Sequence, residues 1–262
     1  MSASPIASTP RVAIVTGAAQ GIGEAIALRL ADDGFDVAVF GTPRKPERLN
    51  TVVKAIQEKG RRAIAFTGDV SLEADIVALV NRTVQEFGGV DVMVANAAIR
   101  SLASIVDVTV EDWDRHLAVN ARSVMLCFKY AAREMINQGR GGRIIGIGST
   151  ASKRGNLDSS AYVASKFAIR GLAQCAALEL RKHKITVNTV APGVIVTNMT
   201  LHPDDEKNGG PLSTLYKTLK LPMDTPFAQP SEVAELVAYL AKPEAGFVTG
   251  QCISINGGVV LD

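Results

Sequence analysis

Three cysteines, one tryptophan and an aromatic share of 5% in 262 residues withhold the raw material of several function classes. Cys127, Cys175 and Cys252 stand far apart in apolar settings, without the short spacings of a zinc site or a redox pair. Buried, reduced thiols are the expectation. His116, His183 and His202 lack metal-ligand spacing too, and Asp204-Asp205-Glu206 reads as a solvated acidic face, so no metal is expected. No apolar run approaches the roughly 20 residues that cross a bilayer. Residues 1–10 lack the basic start and long apolar stretch of a secretory signal, and Val260-Leu261-Asp262 matches no targeting address. A short N-terminal tail and a cytoplasmic location are the expectation. Nor is there a basic arm: 28 Lys and Arg against 26 Asp and Glu give +2, with the signs interspersed, which disfavours nucleic acid as a partner.

What is present is a globular composition, 47% hydrophobic and 21% charged, at a length that one α/β domain fills. β-Branched apolar runs at 11–16, 35–40, 63–66, 90–95, 143–147, 186–190 and 251–255 predict strands. Between them, apolar residues recur at helical spacing: Ile22, Ala25, Ile26 and Leu30, then 49–58, then Ile76 to Phe87, then 113–136, 161–181 and 231–240, the last capped by Ser231. Strands that are apolar on both faces and alternate with helices predict a seven-stranded parallel sheet covered on both sides, in one domain spanning 11–262. Residues 203–230 break the rhythm with prolines, Gly209-Gly210 and a short apolar stretch at Leu212, Leu215 and Leu219. That segment reads as a lid near 200–230, or as an idle surface insertion.

Thr16-Gly17-Ala18-Ala19-Gln20-Gly21-Ile22-Gly23 joins the first strand to the first helix. Glycines let the backbone turn sharply and let a pyrophosphate approach bare amides at the positive end of a helix. A Rossmann-type dinucleotide site is the functional reading; a strand-to-helix turn without a ligand is the bland one.

The spacing of Gly17, Gly21 and Gly23 resembles the glycine motif of the short-chain dehydrogenase/reductase family. The resemblance continues through Asp69-Val70, Asn96-Ala97-Ala98, Asn120, Ser149, Tyr162-Val163-Ala164-Ser165-Lys166, Pro192-Gly193 and Thr197, with Ala98 in place of a common glycine. It implies that Asp69 and Val70 contact adenine, that Asn96 braces the cofactor floor and that Thr197 meets the pyrophosphate or carboxamide region. Gln20, Ile22, Ala97, Pro192, Gly193 and Ile195 join them as expected cofactor contacts.

Tyr162 and Lys166 lie four apart on one helix face. A phenol is a poor proton shuttle near neutrality, and a neighbouring ammonium is expected to favour phenolate and bring Tyr162 toward working pH. Tyr162 then donates a proton to a carbonyl oxygen that Ser149 holds, while a nicotinamide supplies hydride. The resemblance adds a ribose contact for Lys166 and a water held by Asn120 that leads protons to it.

After the second strand, where a carboxylate would select NAD, stands Gly41, followed by Thr42, Arg44 and Lys45. The choice tilts to NADPH. Ala151, Val194, Ser149 and Tyr162 are the expected substrate contacts, and residues 162–178 resemble family members acting on diacetyl, acetoin and butanediol. A carbonyl reductase is the leading expectation; an NAD-dependent diol or polyol dehydrogenase and a nonenzymatic dinucleotide sensor are the alternatives. Apolar surface on the helices around 124–135 and 167–178 predicts a homo-oligomer, a tetramer by resemblance.

Overall fold

A computed structural model describes residues 11–44 and 46–261; the expected tail at 1–10 and Lys45 lie outside the described residues. Along the chain run β1 (Val12–Thr16), α1 (Gly21–Asp32), β2 (Asp36–Gly41), α2 (Pro46–Glu58), β3 (Ala63–Thr67), α3 (Glu73–Phe87) and β4 (Val92–Ala95). Then come α4 (Val110–His116), α5 (Ser123–Gln138), β5 (Gly142–Ile147), α6 (Ser160–Leu180) and β6 (Ile185–Pro192). The remainder holds β7 (Val194–Ile195), α7 (Asp205–Asn208), α8 (Ser213–Leu219), β8 (Phe227–Ala228), α9 (Pro230–Ala241) and β9 (Cys252–Ile255).

Among the described residues, seven strands form one parallel sheet in the order β3-β2-β1-β4-β5-β6-β9. Successive side chains of a strand face opposite ways. Ala13 and Val15 therefore enter a core with α1, α2 and α9, while Val12 and Ile14 enter another with α3, α5 and α6. Both faces are buried, which is why the strands read as continuous apolar runs. The chain moves outward from β1 through β2 and β3, then returns to place β4 on the other side of β1. Such a reversal leaves a crevice beyond the strand ends, where open parallel sheets hold ligands.

Several local expectations are corrected. The helix expected over 113–136 is interrupted by a π-turn at Leu117–Arg122, so that α4 and α5 are separate segments. Helix α9 is capped by Gln229, not Ser231: Pro230 occupies the first helical turn, and the Gln229 amide donates to Glu232 Oε2 at 2.6 Å. Proline suits that position because its missing N–H would lack a helical partner anyway and its φ is already helical. Cys127 is buried, but Cys252 is half-buried and Cys175 is exposed on α6.

The segment after β6 has a packed structure of its own. β7 pairs with β8, and Leu212, Leu215 and Tyr216 form a small core with Val194, Val196, Leu219 and Leu221. Asp205 organises it. Its carboxylate accepts the amides of His202 at 3.0 Å, Leu212 at 3.1 Å and Thr214 at 3.0 Å.

Candidate active site

The crevice is a cavity of about 1080 Å³ running across the strand ends. Its floor at the β1 end is set by backbone geometry. Gly17 and Gly21 have φ of 65° and 59°, in the left-handed region that side chains disfavour. A Cβ on Gly23 would run into the Gly17 carbonyl oxygen and the Asn96 amide, so α1 approaches the loop as closely as it does only because residue 23 is glycine. Asn96 locks this contact from β4, donating from Nδ2 to the carbonyls of Thr16 at 2.9 Å and Gly17 at 3.2 Å. Thr16 Oγ1 answers by accepting the amides of Asn96 at 3.0 Å and Ala97 at 3.2 Å. The loop is thus braced across the switch between β1 and β4, with bare amides open to the cavity at a helix N-terminus. This cradle fits the pyrophosphate of a dinucleotide.

Toward the β2 end, Gly41, Thr42 and Arg44 line the wall. A Cβ at Gly41 would stand 3.1 to 3.3 Å from the Leu49 side chain of α2. The absent carboxylate therefore has a packing correlate: Leu49 occupies the space. Arg48 lines the same wall and reaches the Gln20 side chain, which Asn198 also meets with an Nδ2 to Oε1 hydrogen bond of 2.9 Å. Arg48 was not singled out by the sequence reading, although its place one turn along from Arg44 was a usable signal. Asp69 and Val70 also line the cavity, but the Asp69 carboxylate is engaged by the Ser71 amide at 2.8 Å and hydroxyl at 2.7 Å.

At the β5 end, Ser149, Tyr162 and Lys166 come together on one wall. Ser149 caps the short 3-10 turn Thr150–Ser152, its hydroxyl accepting the Ala151 amide at 3.1 Å. Lys166 is 2% exposed and donates to the Ile147 carbonyl at 2.8 Å. Asn120, at the π-turn, accepts the Ile99 amide at 2.8 Å and donates to the Ile99 carbonyl at 2.9 Å and to Ser165 Oγ at 3.0 Å. Both amide hydrogens are therefore spent on protein groups, and the side chain clamps the loop after β4 to α6.

The electrostatics differ from the expectation. Burial raises the Tyr162 phenol above its ordinary value, opposed by a hydrogen bond with Ser149 and by the charge of Arg100. Burial also pushes the Lys166 amine down, to about 7. An amine brought to about 7 is only partly charged at neutrality. Arg100, whose guanidinium carbon lies 5.9 Å from the ring centre, stands beside Tyr162 together with Lys166, whose Nζ lies 5.6 Å from the same ring. A lone arginine after an apolar Ala97-Ala98-Ile99 run was the available signal, and the sequence reading missed it.

Pro192, Gly193, Val194, Ile195 and Thr197 continue the wall, and Leu215, Leu219 and Leu221 from α8 and the residues after it also line it. Ala151 is corrected: it is fully buried and does not line the cavity, because the turn that Ser149 caps carries it inward. Gly23 and Asn120 likewise stand behind the wall rather than in it, while Ala97 and Ala98 line it along with Gln20 and Ile22.

Comparison with known proteins decides what this arrangement is. Residues 11–208 match the family model of the short chain dehydrogenases. The chain belongs to the short-chain dehydrogenase/reductase family. A short-chain dehydrogenase/reductase of Armillaria gallica is 46% identical, with 99% of this chain and 100% of that protein aligned. The L-2,3-butanediol dehydrogenase of Corynebacterium glutamicum is 37% identical over 96% of this chain and 99% of its own. A short-chain dehydrogenase of Burkholderia cenocepacia, solved in complex with NADP, superposes with a TM-score of 0.84 at 38% identity, covering 95% of this chain and 97% of that one. The protein is accordingly an NAD(P)-dependent oxidoreductase that interconverts carbonyl and alcohol by hydride transfer, with a Ser, Tyr, Lys and Asn cluster at its centre. Among the described residues, no helix is long and apolar enough to cross a membrane.

Proposed function

We propose that the chain is an NADP(H)-preferring reductase of small carbonyl compounds, and that Ser149, Tyr162, Lys166 and Asn120 carry its chemistry. The observation that bears most weight is that Ser149, Tyr162 and Lys166 line the same cavity that also reaches Gly17 and Gly21. Two hydroxyls converging there bind one substrate oxygen. When bound, the nicotinamide supplies the hydride. Ser149 orients the carbonyl oxygen, and Tyr162, whose raised phenol stays protonated at neutral pH, donates its proton to that oxygen. Lys166 stands beside the ring, its Nζ 5.6 Å from the centre, and takes part in returning the proton. Asn120 sets the loop that carries Ile99 and Arg100.

The cofactor preference rests on Gly41 where a carboxylate would select NAD, with Arg44 and Arg48 on the same wall to receive a 2′-phosphate. Gly17, Gln20, Gly21, Ile22 and Thr197 surround the pyrophosphate, and Asp69 and Val70 the adenine. Met125 and Ile136 on α5, with Phe167 and Leu178 on α6, are exposed apolar residues that support self-association, for which a tetramer is the proposed form. Diacetyl, acetoin, butanediol and polyols assayed with both cofactors test the activity. NADPH-linked reduction of a small carbonyl is expected; cofactor binding without turnover of any carbonyl or alcohol would return the sensor reading.

A further inference from the structure

The cavity holds a charge that proton transfer does not account for. Arg100 lies just past Ile99, whose amide and carbonyl are both clamped by Asn120, and it lines the wall beside Tyr162. Among the described residues it makes no hydrogen bond or ion pair. Burial weakens its hold on the proton, and Tyr162 is the titratable neighbour that opposes this. The guanidinium nonetheless remains charged, with five N–H donors in a planar fork. Taking such a group out of water without an anion is costly, and a carboxylate matches its geometry with two parallel hydrogen bonds.

The protein's own carboxylates do not fill this role. The cavity's acidic lining residues are Asp69 and Asp75, both beyond the end of β3. Asp69 is occupied by Ser71, and Asp75 accepts the Asp69 amide at 2.7 Å. In the order β3-β2-β1-β4, that end lies three strand spacings, roughly 14 Å, from the strand that precedes Arg100. Arg154, exposed just past the Ser149 turn, adds a second positive charge to the lining.

We propose that Arg100 binds a carboxylate carried within a few bonds of the reacting carbonyl, so that the preferred substrates are small oxo acids and the corresponding hydroxy acids. This rests on Tyr162 and Ser149 being the pair that holds the reacting oxygen. Reduction adds a hydride to the oxo carbon and the Tyr162 proton to its oxygen, and leaves the carboxylate unchanged. The 5.9 Å between guanidinium and ring keeps the two ends of so short a molecule within reach of both residues.

The test uses matched pairs with NADPH: acetoacetate against methyl acetoacetate, and 2-oxobutanoate against 2,3-butanedione, for the wild type, Arg100→Gln and Arg100→Lys. The wild type is expected to favour at least one acid over its neutral partner. Arg100→Gln should lower that acid's kcat/KM by about 10- to 150-fold, the equivalent of hydrogen bonds to a charged group, chiefly through KM. Because Arg100 also stands beside Tyr162, the neutral partner can fall as well, but by a clearly smaller factor than the acid, and Arg100→Lys should recover part of the difference. Calorimetric binding of butanoate to the protein loaded with oxidised cofactor should be present in the wild type and absent in Arg100→Gln. Neutral substrates reduced while both acids are refused, or acid and neutral rates falling equally in Arg100→Gln, would overturn the assignment and leave the carbonyl-reductase reading standing. If the cofactor binds and none of the four compounds is reduced, the reading of Tyr162 and Ser149 falls, and this inference falls with it.

Discussion

Lys166 Nζ donates to the carbonyl of Ile147 at 2.8 Å, tying α6 to the last residue of β5 immediately before the turn that carries Ser149. The bond is made in near-complete burial, which brings the amine from 10.5 down to about 7. Between these values the unfolded chain holds a proton that the folded chain does not, so stability rises with pH across this window. Below about pH 7 both states are protonated and the full cost of burying the charge is present. Lys166→Met removes that cost. Its stability relative to wild type, from urea titrations, should be greater at pH 6 than at pH 10 by a few kcal/mol. An equal difference at the two pH values would mean that the buried amine is not depressed.

Tyr162→Phe keeps the ring and deletes the proposed proton donor. Turnover should fall by about 10² to 10⁴, the usual contribution of a positioned general acid, with cofactor affinity nearly unchanged. Because the phenol is raised rather than lowered, the wild-type reduction rate should stay level through neutrality and decline only in strongly alkaline solution. A rate that already declined near pH 7 would assign the proton to another group.

Gly23→Ala places a methyl against the Gly17 carbonyl oxygen and the Asn96 amide, neither of which is a flexible chain end. Loss of cofactor affinity by more than about tenfold is expected, together with destabilisation of about 1 to 3 kcal/mol, the range for overpacking. Fluorescence titration with NADPH and thermal unfolding measure the two effects.

Gly41→Asp introduces the acceptor that would select a free ribose and repel a 2′-phosphate. The ratio of kcat/KM for NADPH over NADH should fall by about tenfold or more, as the loss or gain of a charge-assisted contact implies. Leu49 must yield by a few tenths of an ångström, so the double variant with Leu49→Ala should show the same reversal with less scatter from misfolding. An unchanged ratio in both variants would remove Gly41 from cofactor choice.

Asp205→Asn weakens a carboxylate that holds three amides of the segment running from β7 into α8. Those amides bring its pKa down to about 2, so its stabilisation is complete above the ordinary value of 3.8 and is lost as pH falls through about 2. At neutral pH the variant should lose hydrogen-exchange protection around residues 202–216 while the global midpoint moves little. Uniform loss of protection across the sheet would show that Asp205 supports the whole fold.

The strands and most helices were legible in the residues because a doubly covered parallel sheet requires continuous apolar runs and amphipathic crossovers, as at Val12–Thr16 and Glu73–Phe87. The glycine turn was legible because no other residue meets the backbone demands at Gly17 and Gly23. The π-turn around Asn120 was not, since Leu117–Arg122 carries an ordinary helical sequence and only packing against α6 reveals the interruption. Ala151 was misplaced for a similar reason: closeness in sequence to Ser149 says nothing about which way a capped turn faces.

By itself the sequence determined the order of elements, the glycine turn after β1 and the Tyr162–Lys166 pair on one helix face, because these depend on spacing, periodicity and the chemistry of single residue types. Tertiary structure alone decided the charge balance of the site. How Lys166 and Arg100 each bear on Tyr162 depends on burial and on distances across β4, β5 and α6, and these are properties of packing that no local spacing encodes.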